Sequence, residues 1–213
     1  CVHTDLLNNS IIEDPYYRLN ERDVQWVDKK DWEYSTTFKI DKNTLDKDVV
    51  ELDFKGLDTY ANVFLNDSLI LEANNMFISW RVSCKKHLKE GDNTLRIIFE
   101  SPITVGLHLR DLLGYQLPGA ENDQSELGGL GDKKVCVFTR KPGYHFGWDW
   151  GPRLVTSGIW QEIELIAWDI ANIQDLFIIQ KEITKKKATL QVEIEIEATE
   201  EAEVSMVTLI DNE

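Results

Sequence analysis

The stretch Val49-Val50-Glu51-Leu52-Asp53-Phe54-Lys55-Gly56-Leu57-Asp58-Thr59-Tyr60-Ala61-Asn62-Val63-Phe64-Leu65-Asn66-Asp67-Ser68 decides the fold class. Val50, Leu52 and Phe54 alternate with Glu51 and Asp53. Ala61, Val63 and Leu65 repeat the alternation before the turn Asn66-Asp67-Ser68. A period of two residues puts one side-chain set in a core and the other in water, which is the mark of a strand. Upstream, Tyr34, Thr36, Phe38 and Ile40 alternate in the same way. Downstream, Thr94 to Phe99 follows the turn Glu90-Gly91-Asp92-Asn93. Such runs with turn signals between them predict an all-β chain, an antiparallel sandwich or jelly roll.

The segments around these strands differ in kind. Residues 1–31 are irregular, with a helical turn expected at Asp5-Leu6-Leu7 and a loop at Glu13-Asp14-Pro15-Tyr16-Tyr17. Leu107 to Leu113 has apolar residues at helical spacing and stops at Gly114. Pro118 to Lys134 is a long polar, Gly-containing loop, and a loop of that length in a compact domain is functional or mobile. Gly128-Gly129-Leu130-Gly131 lacks a strand–helix context, so flexibility is its expected use. Val135 to Thr139 and Ile159 to Trp168 are expected strands. The register changes near Asp169. Asn172 to Gln180, then Leu190, Val192, Ile194 and Ile196 alternating with polar residues, then Val204 to Ile210, predict three strands of a second unit. Three strands do not close an immunoglobulin-like sandwich of ~7. The expected division is residues 1–168 and a truncated unit at 169–213. The chain begins with Cys1 and ends just after a strand-like run, so a fragment cut at both ends is expected.

Composition limits the partners. Formal net charge is −15, which argues against nucleic acid and anionic membrane surfaces. No apolar run approaches membrane-spanning length. Hydrophobic content of 42% and charged content of 29% are those of an ordinary globular chain. Cys1, Cys84 and Cys136 form no metal spacing and no disulfide framework. No cofactor or metal is expected. Lys185-Lys186-Lys187 is expected at a solvated hairpin tip.

One stretch stands apart in chemistry: Tyr144-His145-Phe146-Gly147-Trp148-Asp149-Trp150-Gly151-Pro152-Arg153. Gly and Pro punctuate it, so it reads as a loop. A carboxylate between two indoles suits a polyol, because it accepts hydrogen bonds from hydroxyls while Trp covers the C–H face of a ring. A structural turn is the competing reading, with the Trp pair plugging a sandwich edge and Asp149 capping backbone amides. His145 could reach a ligand or be a hydrogen-bonded structural residue. No pair of carboxyls is singled out for glycosidic cleavage, so Asp149 alone could orient a substrate and not cut it.

The ordered blocks then carry a resemblance. Val2-His3-Thr4-Asp5-Leu6-Leu7, Val24-Gln25-Trp26-Val27 with Asp31-Trp32-Glu33-Tyr34, Gly56-Leu57-Asp58-Thr59-Tyr60-Ala61 leading to Leu65-Asn66, and Asn75-Met76-Phe77 with Gly91-Asp92-Asn93-Thr94-Leu95 are similar to glycoside hydrolase family 2. Gly147-Trp148-Asp149-Trp150-Gly151-Pro152 and Thr156-Ser157-Gly158-Ile159-Trp160 resemble its β-mannosidases rather than its β-galactosidases or β-glucuronidases. The resemblance implies a jelly-roll, galactose-binding-like β-sandwich over 1–168, lacking its first strand, then the start of an immunoglobulin-like sandwich over 169–213. It implies a catalytic barrel that is absent here, bearing both catalytic glutamates. It implies an exo-acting retaining β-mannosidase, whose substrate is a β-mannoside oligosaccharide or glycoprotein glycan. Trp148, Asp149 and Trp150 would bind the terminal mannose. An extracytoplasmic or lysosomal setting is implied too. A stand-alone carbohydrate-binding module and a structural accessory domain of another family 2 glycosidase are the alternatives.

Overall fold

The computed structural model describes residues 1–118, 121–201, 203, 205 and 207. It is dominated by antiparallel sheets. β1 (Trp32–Ile40), β2 (Val49–Phe54), β3 (Leu57–Asp58), β4 (Ala61–Leu65), β5 (Ser68–Ala73), β6 (Trp80–Ser83) and β7 (Gly91–Phe99) precede the only long helix among the described residues. β8 (Gly158–Ile159), β9 (Ile163–Trp168), β10 (Ala171–Ile183) and β11 (Ala188–Ala198) follow it. One sheet runs β1-β7-β4-β5 and another β6-β2-β9, while β3 pairs with β8. Val50, Leu52 and Phe54 of the second sheet meet Val63, Leu65, Leu95, Ile97 and Phe99 of the first in one core. This is a β-sandwich, and its inner faces are the residues whose alternation predicts them.

Local chemistry sets the turns. Asn66 and Asp67 adopt φ of 48° and 66° in a two-residue connection between Leu65 and Ser68. Asn and Asp tolerate that left-handed region better than most residues, and it matches the twist of a hairpin. Asn66 also donates from Nδ2 to the carbonyl of His87 at 2.8 Å and to Asn93 Oδ1 at 2.7 Å, tying the hairpin to its neighbour. Two helices cover the expected positions Asp5 to Leu7 and Leu107 to Leu113, the second starting five residues earlier than its spacing showed, and the short helix at Lys42–Asp46 was not expected. α1 spans Val2–Asn8, α2 spans Lys42–Asp46, and α3 spans Pro102–Leu113 and ends at Gly114 with φ 79°. Ser101 caps α3 by accepting from the Thr104 amide at 3.0 Å.

Three expectations change. Val135 to Thr139 is not a strand but a 3-10 turn at Cys136–Phe138. Asp123 Oδ2 accepts from the amides of Val135 at 2.8 Å and Cys136 at 3.0 Å, taking donors a ladder would need. The strand expected over Ile159 to Trp168 is broken into β8 and β9, because Trp160 turns its indole onto Gly56. A Cβ on Gly56 would lie 2.4 Å from that indole nitrogen. Asp53 does not face water. It is 2% exposed, bound by Lys55 Nζ at 2.6 Å with Arg81 at 3.6 Å. The strand expected over Val204 to Ile210 falls largely outside the described residues.

β10 and β11 form a hairpin, with Lys185-Lys186-Lys187 at its tip. Ile173, Leu176 and Ile178 lie opposite Ile196, Ile194 and Val192 across the ladder. The β9–β10 junction is tied back to the sandwich where Asp169 accepts from Lys47 Nζ at 2.6 Å and the Asp48 amide at 2.9 Å.

Candidate functional site

The Trp148-Asp149-Trp150 segment leaves the core and returns to it between two buried ion pairs. On the incoming side, Lys141 is 5% exposed and donates to both oxygens of Asp58 at 2.6 and 2.8 Å and to the Thr156 carbonyl at 2.7 Å. Burial pushes the Lys141 pKa down, and the Asp58 carboxylate opposes that shift. On the outgoing side, Arg153 is 1% exposed. Its guanidinium donates to Asp28, and to Gln25 Oε1 at 2.5 Å. Gln25 Nε2 in turn donates to the Arg153 carbonyl at 2.8 Å. Burial raises the Asp28 pKa, and Arg153 pulls it back. Gly128 lies against this guanidinium, where a Cβ would sit 2.5 Å from Arg153 Cζ. The glycine cluster therefore serves a close approach at Gly128, not flexibility alone.

Between these anchors the chain is fixed from below. Phe146 is fully buried with Ile103, Val135 and Val155. Gly147 takes φ 119°, and a Cβ there would lie 2.6 Å from the Gln124 side chain. Gln124 pairs its amide with the Phe146 carbonyl at 2.9 Å and its Nε2 with the Trp148 carbonyl at 2.6 Å.

Trp148, Asp149 and Trp150 are brought together at the surface. The two indoles meet edge to face, with ring centroids 5.6 Å apart and planes at 75°. Trp148 is half-buried and its Nε1 has no partner among the described residues. Trp150 is 82% exposed, so it plugs no sandwich edge. Asp149 is exposed, and among the described residues no backbone amide donates to it. Neither arm of the structural-turn reading matches this geometry. An exposed, unengaged carboxylate beside two surface indoles is chemically able to accept hydroxyl donors.

The same segment divides two cavities. Pro15, Tyr16, Trp148, Trp150, Gly151 and Pro152 line both. The larger has a volume of about 530 Å³ and reaches His3, His145, Tyr144 and Thr156. The smaller, about 360 Å³, holds Asp149 with Arg18, Glu21 and Gln124. Sequence reasoning missed the walls given by residues 3–21 and by Gln124. The loop at Glu13 to Tyr17 carries turn signals, but nothing local shows that it folds against a segment more than a hundred residues away.

Among the described residues nothing hydrogen-bonds to the buried Nδ1 of His145 or to that of His3. Burial lowers both imidazoles to about 4, with Lys141 adding to each effect. Both are therefore neutral at pH 7. A base whose folded pKa lies below its unfolded value stabilises the fold above the unfolded pKa, and that stability is lost as pH falls through the folded pKa. The thermal midpoint should accordingly fall as pH drops from about 6.5 toward about 4. A His145→Gln variant should show a shallower slope in that window by differential scanning fluorimetry. Parallel pH profiles would contradict the burial of His145.

Comparison with known proteins agrees with this architecture. The family model for the glycosyl hydrolase 2 galactose-binding domain-like module matches residues 1–161. Beta-mannosidase B of Aspergillus terreus is 38% identical over 177 residues, which are 83% of this chain and 20% of that protein. Beta-mannosidase B of Emericella nidulans is 38% identical over 203 residues, 93% of this chain and 23% of that protein. The crystal structure of a β-D-mannosidase from Dictyoglomus thermophilum superposes with a TM-score of 0.82 at 39% identity, covering 94% of this chain and 23% of that one. An exo-chitosanase of Amycolatopsis orientalis shares the fold at 18% identity, with a TM-score of 0.65 and coverage of 93% and 20%. The chain thus spans less than a quarter of the length of these relatives.

Proposed function

The chain belongs to the glycosyl hydrolase 2 galactose-binding-like family, and from that premise we propose that it is the sugar-orienting part of an exo-acting retaining β-mannosidase. The observation that carries this reading is the exposed, unengaged Asp149 carboxylate in the segment whose Trp148 and Trp150 indoles meet edge to face at the surface. In this reading Asp149 accepts hydrogen bonds from hydroxyls of the terminal mannose. One indole packs on the C–H face of the ring and excludes water. Residues 1–168 form the jelly-roll unit and 169–213 open an immunoglobulin-like unit. The two catalytic carboxyls come from a barrel outside these residues. Barrels of that type open at the C-terminal ends of their strands. A loop lent by a neighbouring sandwich turns such an opening into a pocket, and a pocket admits a chain end. The substrate is then a β-mannoside oligosaccharide or glycan with a free terminal mannose.

The test is an assay of the complete protein on p-nitrophenyl β-D-mannoside beside the β-D-galactoside and α-D-mannoside. Hydrolysis of the β-mannoside in clear preference to both, with β-mannose released first, is the expected result. Equal or greater activity on the galactoside would overturn the mannose assignment.

A further inference from the structure

Among the described residues of the long segment between α3 and the 3-10 turn at Cys136–Phe138, Gln124 reaches the Trp148-Asp149-Trp150 site. Three contacts fix it there. Its backbone amide donates to Phe146, its Nε2 donates to the Trp148 carbonyl at 2.6 Å, and its Cβ, Cγ and Cδ press on Gly147. A flipped carboxamide would set Oε1 against the Trp148 carbonyl oxygen, two acceptors with no proton between them, so the orientation is determined. Gln124 Oε1 is neither hydrogen-bonded nor buried without a partner among the described residues. Gln124 lines the same 360 Å³ cavity as Asp149.

We propose that Gln124 is a ligand-contacting residue of this site, holding Trp148 through Nε2 and accepting a hydroxyl of the sugar through Oε1. This rests on reading Trp148-Asp149-Trp150 as a mannose wall. It gives the long loop a function and makes the polyol site a pair of acceptors, one charged and one neutral. A neutral acceptor fixed on the backbone reads one hydroxyl by direction, whereas Asp149 supplies the stronger charge-assisted bonds.

The experiment pairs residue deletion with hydroxyl deletion in the complete enzyme. kcat/KM is measured for p-nitrophenyl β-D-mannoside and its mono-deoxy analogues, with wild type, Gln124→Ala, Gln124→Glu and Asp149→Asn. In wild type, loss of the hydroxyl that Gln124 reads should lower kcat/KM by about threefold to tenfold, the range of a neutral hydrogen bond. In Gln124→Ala that same penalty should vanish while penalties at the other positions persist. Gln124→Glu keeps an acceptor oxygen but loses the donor to Trp148. It should retain the penalty and lower kcat/KM for every substrate alike. A purely structural role would weaken all analogues in proportion, and that result in Gln124→Ala would overturn the proposal. If Asp149→Asn couples to a hydroxyl and Gln124→Ala couples to none, the Gln124 assignment alone falls. If neither couples to any, the mannose-wall reading falls and takes this inference with it.

Discussion

Asp28→Ala should cost the chain about 3–5 kcal/mol, the usual consequence of removing one partner of a buried ion pair. Arg153 is 1% exposed and lies between Gly128 and the 3-10 helices at Asn20–Val24 and Val27–Lys29. Among the described residues its Nε and one terminal nitrogen already lack partners. With the Asp28 carboxylate gone, only Gln25 would remain to face the guanidinium charge. The damage comes from an unpaired buried charge, not from a lost attraction, so deleting both charges should hurt less. Asp28→Ala combined with Arg153→Met should recover a large part of the loss. Urea denaturation of the three proteins measures this, and a loss below ~1 kcal/mol for Asp28→Ala would contradict the buried-charge argument. Domains hold only about 5–15 kcal/mol in total, so the single variant should sit close to unfolding at moderate temperature. Because Arg153 closes the Trp148-Asp149-Trp150 segment, that segment should loosen before the sandwich does.

The sandwich was legible because its strands announce themselves locally. Val50, Leu52 and Phe54, or Ala61, Val63 and Leu65, alternate without interruption, and each set reaches the core. The second half of the helix at Pro102–Leu113 was legible for the same reason, from Leu107 to its stop at Gly114, while its start at Pro102 was not. β5 and β6 carry weaker alternation, and residue patterning alone did not find them. Where prediction failed, a side-chain contact that alternation does not encode had intervened. Asp123 captures the amides of Val135 and Cys136 and bends a strand-like sequence into a turn. Trp160 docks on Gly56 and splits a strand in two. Asp53 looks like an outward residue until Lys55 and Arg81 close over it.

The candidate site shows the same division. Trp148, Asp149 and Trp150 were visible as a local triplet, since adjacent residues need no folding to be neighbours. Gln124, Arg18 and Glu21 were invisible, because only tertiary structure brings residues 18–21 and 124 to the same cavity. The two ion pairs that bracket the loop join residues 83 and 125 positions apart. No local pattern encodes separations of that size. The resemblance to family 2, resting on several ordered blocks at once, supplied the sugar-binding reading of Trp148, Asp149 and Trp150 but pointed to neither these walls nor these ion pairs.

The second large effect concerns Asp149. Losing a charged acceptor typically removes ~1.5–3 kcal/mol of hydrogen bonding. Asp149 is exposed and accepts no backbone amide among the described residues, so its removal should leave the fold intact. The whole effect should then appear in the handling of substrate. At about 1.4 kcal/mol per factor of ten, Asp149→Ala should lower kcat/KM by roughly ten- to a few-hundredfold.

Steady-state hydrolysis of p-nitrophenyl β-D-mannoside by the complete enzyme, wild type against Asp149→Ala at matched thermal midpoints, tests the mannose assignment most directly. That loss of kcat/KM with an unchanged unfolding midpoint is the expected result. Kinetics equal to wild type in a fully folded Asp149→Ala variant would contradict it.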